Sequence, residues 1–255
     1  MKKIAKLSFL LMFLASFTFF TLYILDINKS EEIVEQYQET FVKQSEQKQI
    51  IIEENIKSHT LKETTTETKY EINKNVNTDL IEDIPNYVGW IELPNTEIDY
   101  PVVKGDDNDF YLNHGYDLEE NIAGSIYMDR RNIGNRFDLH TIIYGHHMNN
   151  GSMFTDLNKY LKEDFYYEND TIYYNDLYNS YTYKIISAYY ISADSYKLTY
   201  DIDADVIDDF ISRSLYKSNY VYHEADRFIT LSTCNYILDN GRMMVHGVLV
   251  PNEND

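Results

Sequence analysis

Cys234 is the only cysteine in the 255 residues, so it cannot close an internal disulfide and is a free thiol. It ends the run Thr230-Leu231-Ser232-Thr233-Cys234, where a strand expected in the core finishes on polar residues. Two readings stay open for such a thiol. It is either a small buried hydrophobe or a nucleophile at the accessible tip of a rigid strand. A second segment, Ile142-Ile143-Tyr144-Gly145-His146-His147-Met148, ends a strand on a glycine and two imidazoles. Gly145 would let the backbone turn so that a ring faces a cleft. Adjacent residues on an extended chain point to opposite sides, so one histidine of the pair can serve a given site. An imidazole that exchanges a proton with a thiol is the usual activator of a cysteine nucleophile. Zinc would need three or four ligands at recognisable spacing, and neither HExxH nor CxxC is present, so no metal or cofactor is expected. Arg242 follows Cys234 by eight residues, with Asp239-Asn240-Gly241 as the intervening turn. The two can therefore face each other on neighbouring antiparallel strands, where a cation could hold a developing oxyanion; alone, such an arginine would be a surface residue.

These residues need a scaffold of strands. The spacing predicts strands at Tyr87 to Leu93, Ile98 to Val103, Gly124 to Asp129, Thr141 to Tyr144, Thr171 to Tyr174, Tyr181 to Ile191, Arg227 to Thr233 and Met243 to Val250. It predicts helices at Ser152 to Leu161, with Ser152 as cap, and at Asp203 to Leu215, where Val206, Ile207, Phe210, Ile211 and Leu215 share one face. The 25 tyrosines against 9 glycines and 4 prolines suit half-buried pleated positions. About eight strands with peripheral helices fit a mainly β fold closed into a barrel, which leaves no exposed sheet edge.

The compartment is set by the N-terminus. Lys2, Lys3 and Lys6 precede an uncharged apolar run from Leu7 to Leu25, long enough to cross a bilayer as a helix, and no small-x-small cleavage site follows it. The positive-inside bias puts residues 1–6 in the cytoplasm, the anchor at 7–25 and the rest outside the cell membrane. Residues 26–83 are rich in Glu, Lys, Gln and Thr and read as a stalk, helical over Glu31 to Lys57 and loose over Thr60 to Asn77. Residues 84–250 form the globular domain, and 251–255 a tail. The formal charge of −20 excludes nucleic acid as a partner, since that affinity comes from cations on phosphates.

Together TLSTC, IIYGHHM and the arginine eight residues past the cysteine, behind an N-terminal anchor, resemble the sortases, class B most closely. GWIELPNTEIDYPVV, NDFYLN, GSIYMDRRN and SMFTDL extend the resemblance over Ile84 to Val250. It implies an eight-stranded sortase-type barrel and a cysteine transpeptidase with Cys234, His146 and Arg242 as its catalytic residues. His147 is then a neighbour without a catalytic role. The resemblance further implies a peptide groove lined by Asn108, Leu112, Tyr144 and Ser232, with Ser192 and Tyr196 on the following loop. Its partners would be an NPxT-like sorting-signal peptide of a secreted surface protein and a cell-wall peptide amine. Asn235 stands where relatives often carry an acid. A cysteine endopeptidase and a non-enzymatic surface interaction module are the competing readings.

Overall fold

The computed structural model describes residues 2–59, 80–134, 137–194, 196 and 198–251. The expected loose tether, Thr60 to Asn77, lies outside them. Helix α1 (Lys2–His59) runs without a break from the apolar run into the stretch read as a stalk. It does not stand clear of the domain. Ile27, Ser30 and Val34 are buried, and Tyr37 and Phe41 continue the same stripe at alternating spacings of three and four residues, the pattern of one helix face. The Phe41 ring stacks on fully buried Trp90 at 4.3 Å, and Gln38 Nε2 donates to the Asp99 carbonyl at 2.6 Å. A polar composition thus conceals a narrow apolar seam that packs on the barrel.

After a short helix α2 (Leu80–Asp83) come strands β1 (Tyr87–Glu92), β2 (Asp99–Val103), β3 (Tyr127–Met128) and β4 (His140–Tyr144). A 3-10 helix (Thr155–Leu161) and α3 (Glu163–Glu168) lead to β5 (Thr171–Asp176) and β6 (Ser180–Ser192). Helix α4 (Ala204–Arg213), β7 (Phe228–Asn235) and β8 (Gly241–Leu249) complete the fold. The strands close in the order β1-β2-β3-β4-β7-β8-β6-β5. Two pairings are parallel, β2 with β3 and β4 with β7; the others run antiparallel.

Two local expectations need correction. The strand expected over Gly124 to Asp129 shrinks to two residues, because its first half is held by the preceding lobe: Ser125 N–H donates to the Tyr111 carbonyl, and Gly124 adopts a positive φ of 59°. The helix expected from Ser152 is a 3-10 helix whose cap residue, Phe154, makes no side-chain capping bond; Ser152 Oγ instead donates to Asn150 Oδ1 at 2.9 Å. Helix α4 does follow its sequence signals, with Asp203 accepting from the Val206 N–H at 2.9 Å at the N-cap.

Between the barrel and α4 lies a buried polar relay. His140 Nε2 and His246 Nδ1 both lie 2.7 Å from Thr230 Oγ1, His246 Nε2 lies 3.1 Å from the Tyr189 hydroxyl, and Phe210 stacks on the His246 ring. Burial lowers the His140 pKa to about 4 and holds His246 well below 6.5. Both rings are neutral in the folded protein at neutral pH, whereas the unfolded chain gains protons below about 6.5. Stability is therefore complete above pH 6.5 and is lost as pH falls toward 4, by roughly 3 kcal/mol from His140 alone at about 1.4 kcal/mol per unit. Thermal melts between pH 7.5 and 4.5 should show the midpoint falling over this range, and falling less in His140→Gln.

Candidate active site

Parallel pairing of β4 with β7 sets Tyr144 beside Ser232, so both strands end at the same pole. The Gly145 N–H extends the ladder onto the Ser232 carbonyl at 3.2 Å. Gly145 serves space and not the turn that its residue type suggests. A Cβ there would collide with Ile126 Cδ1 and lie 2.8 Å from the Phe154 ring, and its φ is not positive. This close packing brings the next residue, His146, to the β7 terminus. On the other side of β7, the antiparallel register sets Cys234 directly opposite Arg242 on β8.

The thiol, imidazole and guanidinium thus meet at one end of the barrel. His146 Nε2 lies 2.6 Å from the Leu112 carbonyl. A carbonyl only accepts, so Nε2 carries a proton and Nδ1 is the ring nitrogen left free of that bond. The interaction of the His146 ring with the Cys234 thiol is the largest influence on both groups: it raises the imidazole pKa and lowers that of the thiol. Burial opposes each shift, and the Arg242 charge further favours the thiolate. Both shifts favour a thiolate beside an imidazolium. Arg242 Nη1 is held by Asn240 Oδ1 at 3.2 Å and the Gly241 carbonyl at 3.0 Å, which fixes the cation at the mouth of the turn.

His147 turns away from the thiol toward the backbone of the same residue. Its Nδ1 lies 3.2 Å from the Cys234 carbonyl and 2.9 Å from Asn158 Nδ2, and its ring packs on Tyr236. Asn235 joins this cluster by donating to Asn158 Oδ1 at 2.7 Å.

A groove of about 380 Å³ opens beside the pole, and Asn108, Tyr144, Tyr196, Ser232 and Arg242 line it. Two further sequence candidates do not. Leu112 has an exposed side chain and reaches the site through its carbonyl, on His146; Ser192 Oγ donates to the Asp239 carbonyl at 3.3 Å, at the base of the β7–β8 turn.

Asp129, which the sequence did not single out, organises the groove wall. It is fully buried, and its Oδ2 accepts from Asn108 Nδ2 at 3.0 Å, the Tyr144 hydroxyl at 2.9 Å and Arg131 Nη2 at 2.8 Å. Its Oδ1 accepts from Arg131 Nε at 2.8 Å and from the Arg131 N–H at 2.9 Å. Burial alone would raise its pKa, but these bonds outweigh it and hold the carboxyl at about 2. Two groove side chains, Asn108 and Tyr144, are thereby fixed by one buried charge.

A closed β-barrel carrying a thiol and an imidazole that favour each other's charged forms, an arginine opposite the thiol and a groove beside them describes a thiol acyl-transfer enzyme. Residues 91–250 match the Sortase domain family. The chain is 41% identical over 170 residues to Sortase B of Listeria monocytogenes, covering 64% of this chain and 69% of the relative. It is 36% identical over 152 residues to Sortase B of Staphylococcus aureus, covering 58% and 62%. A crystal structure of a Bacillus anthracis protein described as similar to sortase B superposes with a TM-score of 0.72 at 30% identity, over 89% of this chain and 98% of that one. The chain belongs to the sortase family, in its class B, and is a cysteine transpeptidase.

Proposed function

We propose that the chain is anchored in the cell membrane by the start of α1 and joins surface proteins to a cell-wall amine outside the cell. Within Ser8–Gln44 the helix has an unburied window with a mean hydropathy of 2.0, and Lys2, Lys3 and Lys6 before it favour a cytoplasmic N-terminus. An NPxT-like sorting signal lies along the groove, with the carbonyl of its threonine between Cys234 and Arg242. The Cys234 thiolate attacks that carbonyl, Arg242 bears the oxyanion, and the imidazolium of His146 gives its proton to the departing amine. The thioacyl enzyme is then resolved by an incoming amine, which loses a proton to His146 as the amide forms and the thiolate leaves. Asn108, Tyr144, Ser232 and Tyr196 hold the peptide; Leu112 acts through its carbonyl, which holds His146 Nε2.

The observation that carries this reading is the convergence of Cys234 and His146, each shifting the other's pKa toward the charged form, with Arg242 opposite Cys234 in the strand register and an open groove beside them. The test incubates the protein with NPxT, SPxT and LPxT peptides and a triglycine acceptor, followed by mass spectrometry. An acyl adduct on Cys234, absent in Cys234→Ala, and an amide product are expected. Carboxylic acid as the only product under excess amine would make the chain an endopeptidase, and no adduct with any peptide would remove the acyl-transfer assignment of Cys234.

A further inference from the structure

The groove is a cationic spot on a strongly acidic chain. The formal charge is −20, yet Arg130, Arg131 and Arg242 line the same 380 Å³. Two of the three are committed. Arg131 forks onto both oxygens of Asp129 at 2.8 Å, and Arg242 faces Cys234 from its turn. Arg130 makes no ion pair among the described residues, and it is exposed. Its backbone N–H donates to Asn108 Oδ1 at 2.7 Å, so the base of the side chain is pinned to the groove wall that Asp129 organises. The carboxylate that feels its charge, Asp107, already accepts from the Asp109 and Phe110 N–H groups at 2.9 and 2.8 Å. Three guanidiniums thus line the groove with buried Asp129 behind its wall, and the one that is exposed, makes no ion pair among the described residues and is free to reach a ligand is Arg130.

Deepening the proposed transpeptidation and resting on it, we infer that Arg130 is a specificity residue that pairs with a Glu or Asp side chain of the sorting peptide, upstream of its threonine. A guanidinium offers a planar fork of N–H donors that matches a carboxylate. The overall acidity of the chain points the other way, toward a lysine-bearing signal. That field is screened beyond about 8 Å at physiological salt, whereas a peptide in the groove meets Arg130 at contact distance. The local charge therefore decides the preference.

The experiment measures kcat/KM for thioacylation on peptide sets that differ only in Glu, Gln or Lys at each position upstream of the threonine. At one position the wild type should favour Glu over Lys about tenfold, with the ratio shrinking in 0.5 M NaCl, as rim charge pairs do. Arg130→Glu should invert that order, and Arg130→Gln should flatten it. Equal treatment of all three peptides by the wild type, or an unchanged preference in both variants, overturns the inference while leaving transpeptidation intact. Absence of acylation with every peptide in the wild type overturns the transpeptidation reading itself, and this one with it.

Discussion

His146→Ala is expected to lower transpeptidation by about 10²–10⁴-fold and, in the same variant, to move the titration of Cys234 upward toward the ordinary thiol value of about 8.5. Both effects have one origin. The interaction with His146 is the largest cause of the lowered thiol pKa, so its removal leaves burial, which raises that pKa, opposed by the Arg242 charge alone. The sign of the pH dependence follows. The reactive form carries a thiolate and an imidazolium, so the lowered Cys234 pKa and the raised His146 pKa both enlarge its share, and activity is bell-shaped in pH. Iodoacetamide alkylation followed against pH reads the thiol directly. An alkylation profile in His146→Ala that overlays the wild type would show that the imidazole does not act on the sulfur.

Arg242→Lys is the second large effect. Charge at the site is kept, but the guanidinium held by Asn240 and the Gly241 carbonyl, on the residue opposite Cys234 in the strand register, is lost. A positioned oxyanion donor is worth about 10²–10³ in kcat, and a lysine recovers little of that because a flexible ammonium is not preorganised. The expected result is a loss of about that size in kcat with a near-normal alkylation rate of Cys234, since the electrostatic support of the thiolate remains. Arg242→Ala should lose turnover and also alkylate more slowly at neutral pH. A lysine variant with wild-type kcat would place the oxyanion elsewhere.

Much of the barrel was legible because its strands carry local signals. RFITLST and MMVHGVLV are dense in β-branched and apolar residues, and they emerged as β7 and β8 with bounds shifted by one to two residues. The meeting of Cys234 and Arg242 could also be read, since a turn of a few residues fixes an antiparallel register. Asp129 could not be read in this way. MDRRN looks like an exposed charged turn, and the partners of its carboxylate come from Asn108 and Tyr144, 21 and 15 residues away. A carboxylate directly after a buried strand pair, followed by two arginines, is the signal that would have raised it. The docking of α1 was hidden for another reason. After the apolar run, over Asp26 to His59, its apolar residues are outnumbered by Glu, Gln and Lys, and only the alternation of three and four residues from Ile27 to Phe41 marks a face. Tertiary packing decides such a helix more than its mean polarity does. Gly145 was picked out for the wrong property, because crowding from Ile126 and Phe154 is invisible in a linear sequence.

The lateral contact of β4 with β7 has a consequence for biogenesis. These strands run the same way, and their residues are paired across more than eighty positions of chain, from Thr141 with Ile229 to Tyr144 with Ser232. Such distant parallel pairings form late, after the entropy of closing a long loop has been overcome. The imidazole and the sulfur therefore become neighbours only when the last two strands enter the sheet. A chain that has not yet paired these strands lacks the imidazole beside its sulfur, so the reactive thiol is a property of the completed sheet.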